Sequence, residues 1–190
     1  MQIWAGLGNP GGTYALHRHN VGFMAIDTIA DLHRFPAPRK AFRSLVSEGR
    51  IGPHRVLLLK PQTFMNDSGS AVAAALHFYK LDLDALTVFH DELDFAPFKL
   101  KVKQGGGTAG HNGLRSIDKH LGPEFRRVRI GIGHPGHKDR VTPHVLGNYA
   151  KSELEPLSDL LGAIAAEAEW LAAGDDVRFM NDVAMRLGGD

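Results

Sequence analysis

Seven polar side chains beside apolar or glycine-rich segments could together carry out acyl hydrolysis with water. A histidine can take a proton from water, an aspartate can hold that histidine in one tautomer, and amide groups can stabilise the oxyanion that forms. Asparagines in loops commonly do no more than form turns, so this hypothesis requires the seven residues to converge in the fold. They are Asn9, His19, Asn20, Asn66, Asp91, His111 and Asn112.

Short apolar runs alternate along the chain with segments of helical periodicity, and these elements must position the seven residues. Strands are predicted at residues 2–7, 55–60, 86–93, 98–103 and 126–133. Helices are predicted at residues 20–33, 68–80 and 113–122 and along an apolar stripe from Leu154 to Leu171. Ser68 or Ser70 is expected to cap the second helix, and Ser152 with Glu155 to form a capping box.

The interleaving of strands and helices predicts a fold of the α/β class. We expect one domain over residues 1–190, with a twisted mixed β-sheet flanked by α-helices. Ligand sites in such sheets lie at the carboxyl ends of the strands. Asn9, Asn66 and Asn112 each adjoin an apolar strand or a glycine-rich turn, so we expect them to meet at that edge.

The first glycine-rich segment, GLGNPG at residues 6–11, matches the G-x-G-x-x-G pattern of a dinucleotide-binding loop. Such a loop opens directly into a helix whose N-terminus faces the pyrophosphate. Here Pro10 disfavours helical geometry at Asn9. The acidic residue expected after a second strand is also missing, because Asp27 and Asp31 fall inside a helical pattern. The segment favours a tight strand-end turn, with a nucleotide-dependent oxidoreductase as an alternative.

Two further patterns are those of phosphate and metal sites. The segment GGGTAGHN at residues 105–112 resembles a phosphate loop, but His111 and Asn112 replace the Lys and Ser or Thr that bind phosphate and magnesium. Its three glycines leave backbone N–H groups open to an anion or a peptide backbone. His17 with His19, or His90 with its acidic neighbours, could ligate a metal, yet the chain has no H-E-x-x-H pattern. We expect no metal and no cofactor.

Composition narrows the classes of protein that remain. Apolar residues make up 43% of the 190 residues and charged residues 23%, as in ordinary globular domains. The absence of cysteine excludes disulfides, thiolate zinc sites and a cysteine nucleophile. No apolar run approaches the roughly 18 residues of a membrane helix, and the N-terminus has no signal-peptide pattern. We expect a cytoplasmic protein without membrane association.

Charge is distributed unevenly, although the net charge is only +1. Residues 99–140 carry ten Lys and Arg against three Asp and Glu, whereas residues 151–190 carry three against nine. A basic middle segment suggests a face that binds a polyanion. An ordinary solvated surface is the alternative explanation.

Five blocks of the chain resemble, in order and spacing, those of bacterial peptidyl-tRNA hydrolases. They are GLGNPGGTYALHRHNVGF (6–23), KPQTFMNDSG (60–69), HDELD (90–94), GGGTAGHNGLRSI (105–117) and FRRVRIGIGHP (125–135). The resemblance implies a monomeric α/β enzyme that cleaves the ester between a peptide and the 3′ end of tRNA without a metal or cofactor. It further implies that the enzyme recycles tRNA from prematurely released peptidyl-tRNA.

The resemblance also implies roles for individual residues. It makes His19 the base that activates water, and Asp91 the group that holds and polarises His19. Asn9 would lie beside the scissile end and help to distinguish blocked from free aminoacyl-tRNA. The substrate-binding positions that the resemblance implies are Tyr14, Asn20, Phe64, Met65, Asn66, Lys103, His111, Asn112 and Arg129. Of these, Lys103 and Arg129 would clamp tRNA phosphates.

Two alternatives stay open at this point. A non-catalytic RNA-binding protein would also explain the basic segment, although it would not explain why His, Asp and Asn residues occupy the matching motifs. Residues 137–150 have the Gly, Pro and charge content of a mobile cover, and a static surface loop fits the same composition.

Overall fold

Seven strands form one mixed sheet in the computed structural model, which describes residues 1–189. The strands are β1 (Gln2–Gly6), β2 (Arg39–Ala41), β3 (Ser44–Ile51), β4 (His54–Pro61), β5 (Leu86–Glu92), β6 (Leu100–Gln104) and β7 (Arg126–Gly131). Their order across the sheet is β2-β3-β4-β1-β5-β7-β6. The four central strands, β4, β1, β5 and β7, run parallel, whereas β2, β3 and β6 pair antiparallel with their neighbours. The carboxyl ends of the central strands therefore share one edge.

Seven α-helices accompany the sheet in the described residues. They are α1 (Val21–Leu32), α2 (Ser68–Tyr79), α3 (Asn112–Leu121), α4 (Val141–Val145), α5 (Leu154–Ala166), α6 (Ala168–Ala172) and α7 (Asp176–Arg186). Side chains of β1 alternate between two apolar clusters, as the period of a strand requires. Ile3 and Ala5 pack in the cluster that contains α2 and α3, and Trp4 packs in the cluster that contains α1, α5 and α7. The predicted α/β architecture is confirmed.

The strands β2 and β3 were not predicted from the sequence. In β3 the apolar residues are interrupted by Ser47, Glu48, Gly49 and Arg50, so no apolar run marks the strand. Pairing with the strongly apolar β4 forms it, through a tight turn in which Ile51 lies opposite His54. Tertiary pairing here decides the structure of a segment with a weak local pattern.

The helix boundaries correct two predictions about caps and one about length. The Ser68 and Ser70 hydroxyls donate to the carbonyl oxygens of Met65 and Asp67, and neither side chain caps the helix. The predicted capping box of Ser152 and Glu155 is likewise replaced, because Glu153 accepts from the N–H of Ala150 instead. The long stripe to Leu171 is broken at Glu167, where α5 ends and α6 begins. Among residues 1–189, no helix has the length and apolar character needed to cross a membrane.

Candidate active site

Asp91 lies at the centre of a buried network of two histidines. It is near the carboxyl end of β5, and only 3% of the residue is exposed. One carboxylate oxygen, Oδ2, lies 2.8 Å from Nδ1 of His19, and the other, Oδ1, lies 2.8 Å from Nε2 of His111. A buried carboxylate is stable only when it is hydrogen-bonded. The two imidazoles satisfy that need, and Asp91 fixes both rings.

The protonation of His111 follows from its position at the start of α3. Its Nδ1 accepts hydrogen bonds from the backbone N–H groups of Gly113, at 3.1 Å, and Leu114, at 3.3 Å. A nitrogen that accepts carries no proton, so Nε2 carries the proton and donates it to Asp91. His111 is therefore an N-cap that ties the glycine-rich segment before α3 to the aspartate.

His19 has the opposite tautomer. It lies in the 3₁₀ turn Arg18–Asn20, directly before α1. Its Nδ1 faces the Asp91 carboxylate and so donates to it, which leaves the lone pair on Nε2. A histidine in this state can accept a proton from water through Nε2. The geometry thus makes His19 the candidate base of the site.

The electrostatics of the pair favour a proton-accepting His19. Burial is the largest influence on the pKa of His19 and lowers it, but the charge of Asp91 and the hydrogen bond to it raise the pKa above its ordinary value on balance. Burial likewise acts to raise the pKa of Asp91. The electrostatic attraction and the hydrogen bonds of His19 and His111 outweigh that effect, so the pKa of Asp91 lies well below its usual range. Asp91 is therefore ionised when His19 accepts a proton.

Two glycines bring His19 to Asp91 by allowing α1 to touch the sheet. A Cβ on Gly22, in the first turn of α1, would lie 2.3 Å from the carbonyl oxygen of Phe89 on β5. A Cβ on Gly6, at the end of β1, would lie 2.2 Å from the carbonyl oxygen of Gly22. Neither distance leaves room for a side chain. The first glycine of GLGNPG therefore permits close helix–sheet packing.

Asn9 is held by a second network beside the histidines. Its Oδ1 accepts from the backbone N–H of Met65 at 2.8 Å. The Asn20 side chain accepts from the N–H of Asn9 and donates to its carbonyl oxygen, both at 2.9 Å. These bonds fix the orientation of the Asn9 amide and leave its NH₂ group as the donor. Asn20, which is 2% exposed, is committed to the backbone of Asn9.

The remaining residues expected near a peptide lie in two turns beside Asn9. Tyr14 and Phe64 contact each other edge to face, with ring centroids 6.3 Å apart, and Phe64 is 61% exposed. Asn66 is exposed in the turn Met65–Asp67. Met65 is only 4% exposed and packs in the core, so its side chain does not line an open surface. What it offers the site is the backbone N–H that binds Asn9.

A cleft of about 450 Å³ opens at His19 and Asp91, and we call it the catalytic cleft. Its walls include His111 and Asn112 on one side and residues of α4 on the other. The segment that carries α4 is tied to the turn of His19, because the N–H of Arg18 donates to Gly147 at 3.0 Å. Residues 137–150, for which the sequence left a mobile cover and a static surface loop open, thus contribute to a wall of the cleft.

A second, smaller pocket of about 200 Å³ lies next to the cleft and contains Lys103 and Arg129. Lys103 is on β6, and Arg129 is on the adjacent β7. A glycine loop, residues 105–110, separates this cationic pocket from the catalytic cleft. Thr108 and Ala109 of the loop line both cavities. The two expected phosphate-binding cations therefore meet in one pocket, a short distance from the histidines.

The sequence did not indicate that two residues of this region, His90 and Arg127, are buried. Nδ1 of His90 donates to the carbonyl oxygen of Asp91 at 2.8 Å, and burial lowers the pKa of His90 to about 3. Arg127, which is 2% exposed, donates to carbonyl oxygens of the glycine loop. Both lie within quoted motifs, but no pattern of residue types showed that they face inward.

The same three residues that form the network could also be considered for a metal. Ligand atoms of His19, Asp91 and His111 lie within 4.8 Å of one another. However, Nδ1 of His19 and Nε2 of His111, which face Asp91, are protonated and donate to its carboxylate. A metal ligand must instead offer an unprotonated nitrogen with a free lone pair. The arrangement therefore fits a hydrogen-bonded network. Two other histidines that the sequence offered as metal ligands, His17 and His90, are not members of this group.

Comparisons with known proteins find relatives over almost the whole chain. The model of the peptidyl-tRNA hydrolase family matches residues 3–187. The chain is 70% identical over 189 residues to a peptidyl-tRNA hydrolase of Sphingopyxis alaskensis, with 100% of both chains covered. It is 72% identical over 186 residues to the peptidyl-tRNA hydrolase of Novosphingobium aromaticivorans, covering 98% of this chain and 97% of that one. The match includes every element that contributes to the cleft.

The fold is also similar to solved structures. A crystal structure of peptidyl-tRNA hydrolase from Acinetobacter baumannii superposes with a TM-score of 0.90 and is 40% identical in sequence. The similarity covers 96% of this chain and 94% of that chain. A second structure, of a peptidyl-tRNA hydrolase in complex with N-propanol, gives the same TM-score and identity.

Proposed function

Because this chain belongs to the bacterial peptidyl-tRNA hydrolase family, we propose that its His19 activates the water that attacks peptidyl-tRNA. The enzyme hydrolyses the ester between the peptide and the 3′ end of tRNA, which recycles tRNA from prematurely released peptidyl-tRNA. One observation carries the proposal. Asp91 accepts a hydrogen bond from Nδ1 of His19, and this leaves the lone pair on Nε2. This activity is favoured over an oxidoreductase or a non-catalytic RNA-binding protein.

The proposed reaction proceeds without a covalent enzyme intermediate. Nε2 of His19 takes a proton from a water molecule as its oxygen bonds to the ester carbonyl carbon. The imidazolium is stabilised by the Asp91 carboxylate, 2.8 Å from Nδ1. When the tetrahedral intermediate collapses, the bond to the ribose oxygen breaks and that oxygen receives the proton from His19. The products are the peptide acid and tRNA with a free 3′ hydroxyl.

Asn9 supplies a donor for the oxygen that gains charge. Its Oδ1 is occupied by the N–H of Met65, so its NH₂ group is the part free to bind a carbonyl. Donors fixed before the reaction stabilise developing charge most effectively. The same NH₂ group can bind the carbonyl of an N-blocking acyl group, which a free aminoacyl-tRNA lacks. Asn66 and Asn112 extend these amide contacts along the peptide, and Tyr14 and Phe64 offer it an aromatic surface.

The cationic pocket is proposed to bind a phosphate of the tRNA. Lys103 and Arg129 line it together, and phosphate contacts position nucleic acid without reading its sequence. Its proximity to the catalytic cleft allows one substrate to occupy both. The proposed partner is thus peptidyl-tRNA. We propose that the enzyme acts as a monomer, without a cofactor, in the cytoplasm, where its substrate is made.

The role of Asn9 is tested by comparing the hydrolysis of N-acetylated aminoacyl-tRNA with that of the same aminoacyl-tRNA carrying a free amino group. Wild-type enzyme is expected to cleave the acetylated form in preference. A metal chelator in both assays tests whether the reaction needs a metal, and the rate is expected to stay unchanged. In Asn9→Ala the value of kcat/KM for the acetylated form falls by about a hundredfold, because one fixed donor is lost. The control is Asn181→Ala, on the exposed surface of α7. An unchanged preference in Asn9→Ala would remove Asn9 from the site.

A further inference from the structure

Arg127 is a buried cation whose partners are backbone carbonyls. It lies on β7 and is 2% exposed. Its Nη1 donates to Gly107 at 2.6 Å, and its Nη2 donates to Gly106 at 2.7 Å and to Pro123 at 3.0 Å. The guanidinium carbon lies 4.4 Å from the centre of the Phe125 ring. Among residues 1–189, no carboxylate forms an ion pair with it.

Such an arrangement places a constraint on the glycine loop. Burying a charge is costly unless hydrogen bonds compensate it, so Arg127 and the loop carbonyls depend on one another. Backbone hydrogen bonds also hold the loop, from the N–H of Gly105 to Phe125 at 2.9 Å and from the N–H of His111 to Thr108 at 2.8 Å. Gly105, Gly106 and Gly110 have φ angles of +67°, +112° and +78°, which other residues adopt only with strain. The guanidinium fork therefore adds side-chain hydrogen bonds that hold the carbonyls of Gly106 and Gly107 in this conformation.

The loop connects Arg127 to the chemistry in two ways. It is followed directly by His111, whose Nε2 donates to Asp91, and by Asn112, which lines the catalytic cleft. It also forms the wall between that cleft and the cationic pocket, which Arg127 itself lines. A shift of the loop would move both His111 and the shared wall.

We propose that Arg127 is a positioning residue for peptidyl-tRNA hydrolysis: it holds the carbonyls of Gly106 and Gly107 and thereby sets His111, Asn112 and the wall between the two cavities. The inference rests on the proposed function, since it requires the ester to be cleaved in the cleft at His19. Lysine cannot replace this group, because an ammonium lacks the planar fork that reaches two adjacent carbonyls at once. Arg127 acts through the loop and touches no reacting atom.

The first test separates the charge of Arg127 from its geometry. Arg127→Lys keeps the charge, so the affinity for deacylated tRNA should remain within about twofold of wild type. The value of kcat should fall by about tenfold to a hundredfold, because the reacting groups are misplaced. The fall should also appear with a small substrate, an N-acetylated aminoacyl ester of adenosine. Lys103→Ala should instead affect only the substrate that carries the tRNA body. Circular dichroism at the assay temperature verifies that each variant is folded.

A wild-type kcat in Arg127→Lys, or a loss confined to the tRNA substrate, overturns the inference. Loss of activity in His19→Ala would still stand in that case, so the proposed function would be unaffected. A second pair of variants avoids the buried cation altogether. Gly106→Ala strains the loop at a φ of +112° and places a Cβ 2.9 Å from Nζ of Lys103, whereas a Cβ on Gly162 of α5, away from the loop, meets open space. Gly106→Ala should lower kcat on the small ester and Gly162→Ala should not. Equal rates in the two would contradict the role of the loop.

Discussion

At the scale of residues, the site depends on one carboxylate that holds two histidines in opposite tautomers. His111 must carry its proton on Nε2, because its Nδ1 accepts from two helix N–H groups. His19 must carry its proton on Nδ1, which faces Asp91. The sequence suggested the pairing of a His with an Asp, and the resemblance assigned it to His19 and Asp91. The sequence did not indicate that His111 binds the same aspartate, because no distinct pattern of neighbouring residues marks a histidine that caps a helix.

Replacing Asp91 with asparagine should change both the rate and its pH dependence. The amide accepts from one histidine at most and presents N–H groups to the other, so His19 loses its fixed tautomer and kcat should fall by about a hundredfold or more. Asp91 raises the pKa of His19. Its removal lowers that pKa, and the acidic limb of the kcat/KM profile should move to lower pH. The profile is measured on N-acetylated aminoacyl-tRNA.

The control for this variant is Asp31→Asn, an exposed carboxylate in α1. It should leave the rate and the acidic limb unchanged. An acidic limb that stays in place in Asp91→Asn would show that a group other than His19 controls it.

At the scale of elements, the strands and helices that carry the site were largely predictable and their junctions were not. The ends of β1 and β5 and the starts of α1 and α3 were close to their predicted positions, because apolar runs and helical stripes mark them. The close contact of α1 with β1 and β5 was not evident. It depends on the absence of side chains at Gly6 and Gly22, and a glycine within a motif does not reveal what it packs against.

The packing of α1 can be tested with one methyl group. In Gly22→Ala the new Cβ would lie 2.3 Å from the Phe89 carbonyl oxygen. The helix must then move away from β5, which should lower the free energy of unfolding by about 1–3 kcal/mol and reduce kcat by shifting His19. Chemical denaturation and steady-state kinetics measure the two effects.

Gly162→Ala in α5 is the matched control. A Cβ at this position meets open space within a helix, so the change should raise stability by up to about 1 kcal/mol and leave kcat unchanged. If Gly22→Ala were as active and as stable as this control, the contact would not position His19.

At the scale of the whole molecule, opposite charges in the sequence are adjacent in the fold. The basic segment supplies β6 and β7 at one side of the sheet, next to the cationic pocket. The acidic C-terminal segment supplies α7, whose Asp176 accepts from Arg126 on β7 at 2.9 Å. The uneven charge was visible in the sequence. The sequence did not show which cations remain available to bind phosphate. That depends on which cations bind the acidic helix α7 or the carbonyls of the glycine loop.

The phosphate role of the pocket predicts a salt-dependent effect. The double variant Lys103→Ala with Arg129→Ala should raise KM for peptidyl-tRNA, because two cations that line the pocket are lost. The slope of log affinity against log salt should become shallower by about 1 for each phosphate contact removed. Binding of deacylated tRNA over a series of salt concentrations gives the slope.

Lys80→Asn is the control for this double variant, because it removes an exposed cation at the end of α2, where the φ of +52° suits asparagine. It should leave KM and the slope unchanged. A KM in the double variant equal to that of this control would place the tRNA elsewhere on the surface.

The central claim, that Nε2 of His19 takes the proton from the attacking water, is tested most directly by single-turnover hydrolysis of N-acetylated aminoacyl-tRNA with His19→Ala. The rate should fall by about 10²- to 10⁴-fold, the usual contribution of a general base, while the Kd for deacylated tRNA stays within about twofold of wild type. His77→Ala, an exposed histidine of α2, should react at the wild-type rate. A His19→Ala enzyme that cleaves the substrate within about tenfold of the wild-type rate would contradict the account.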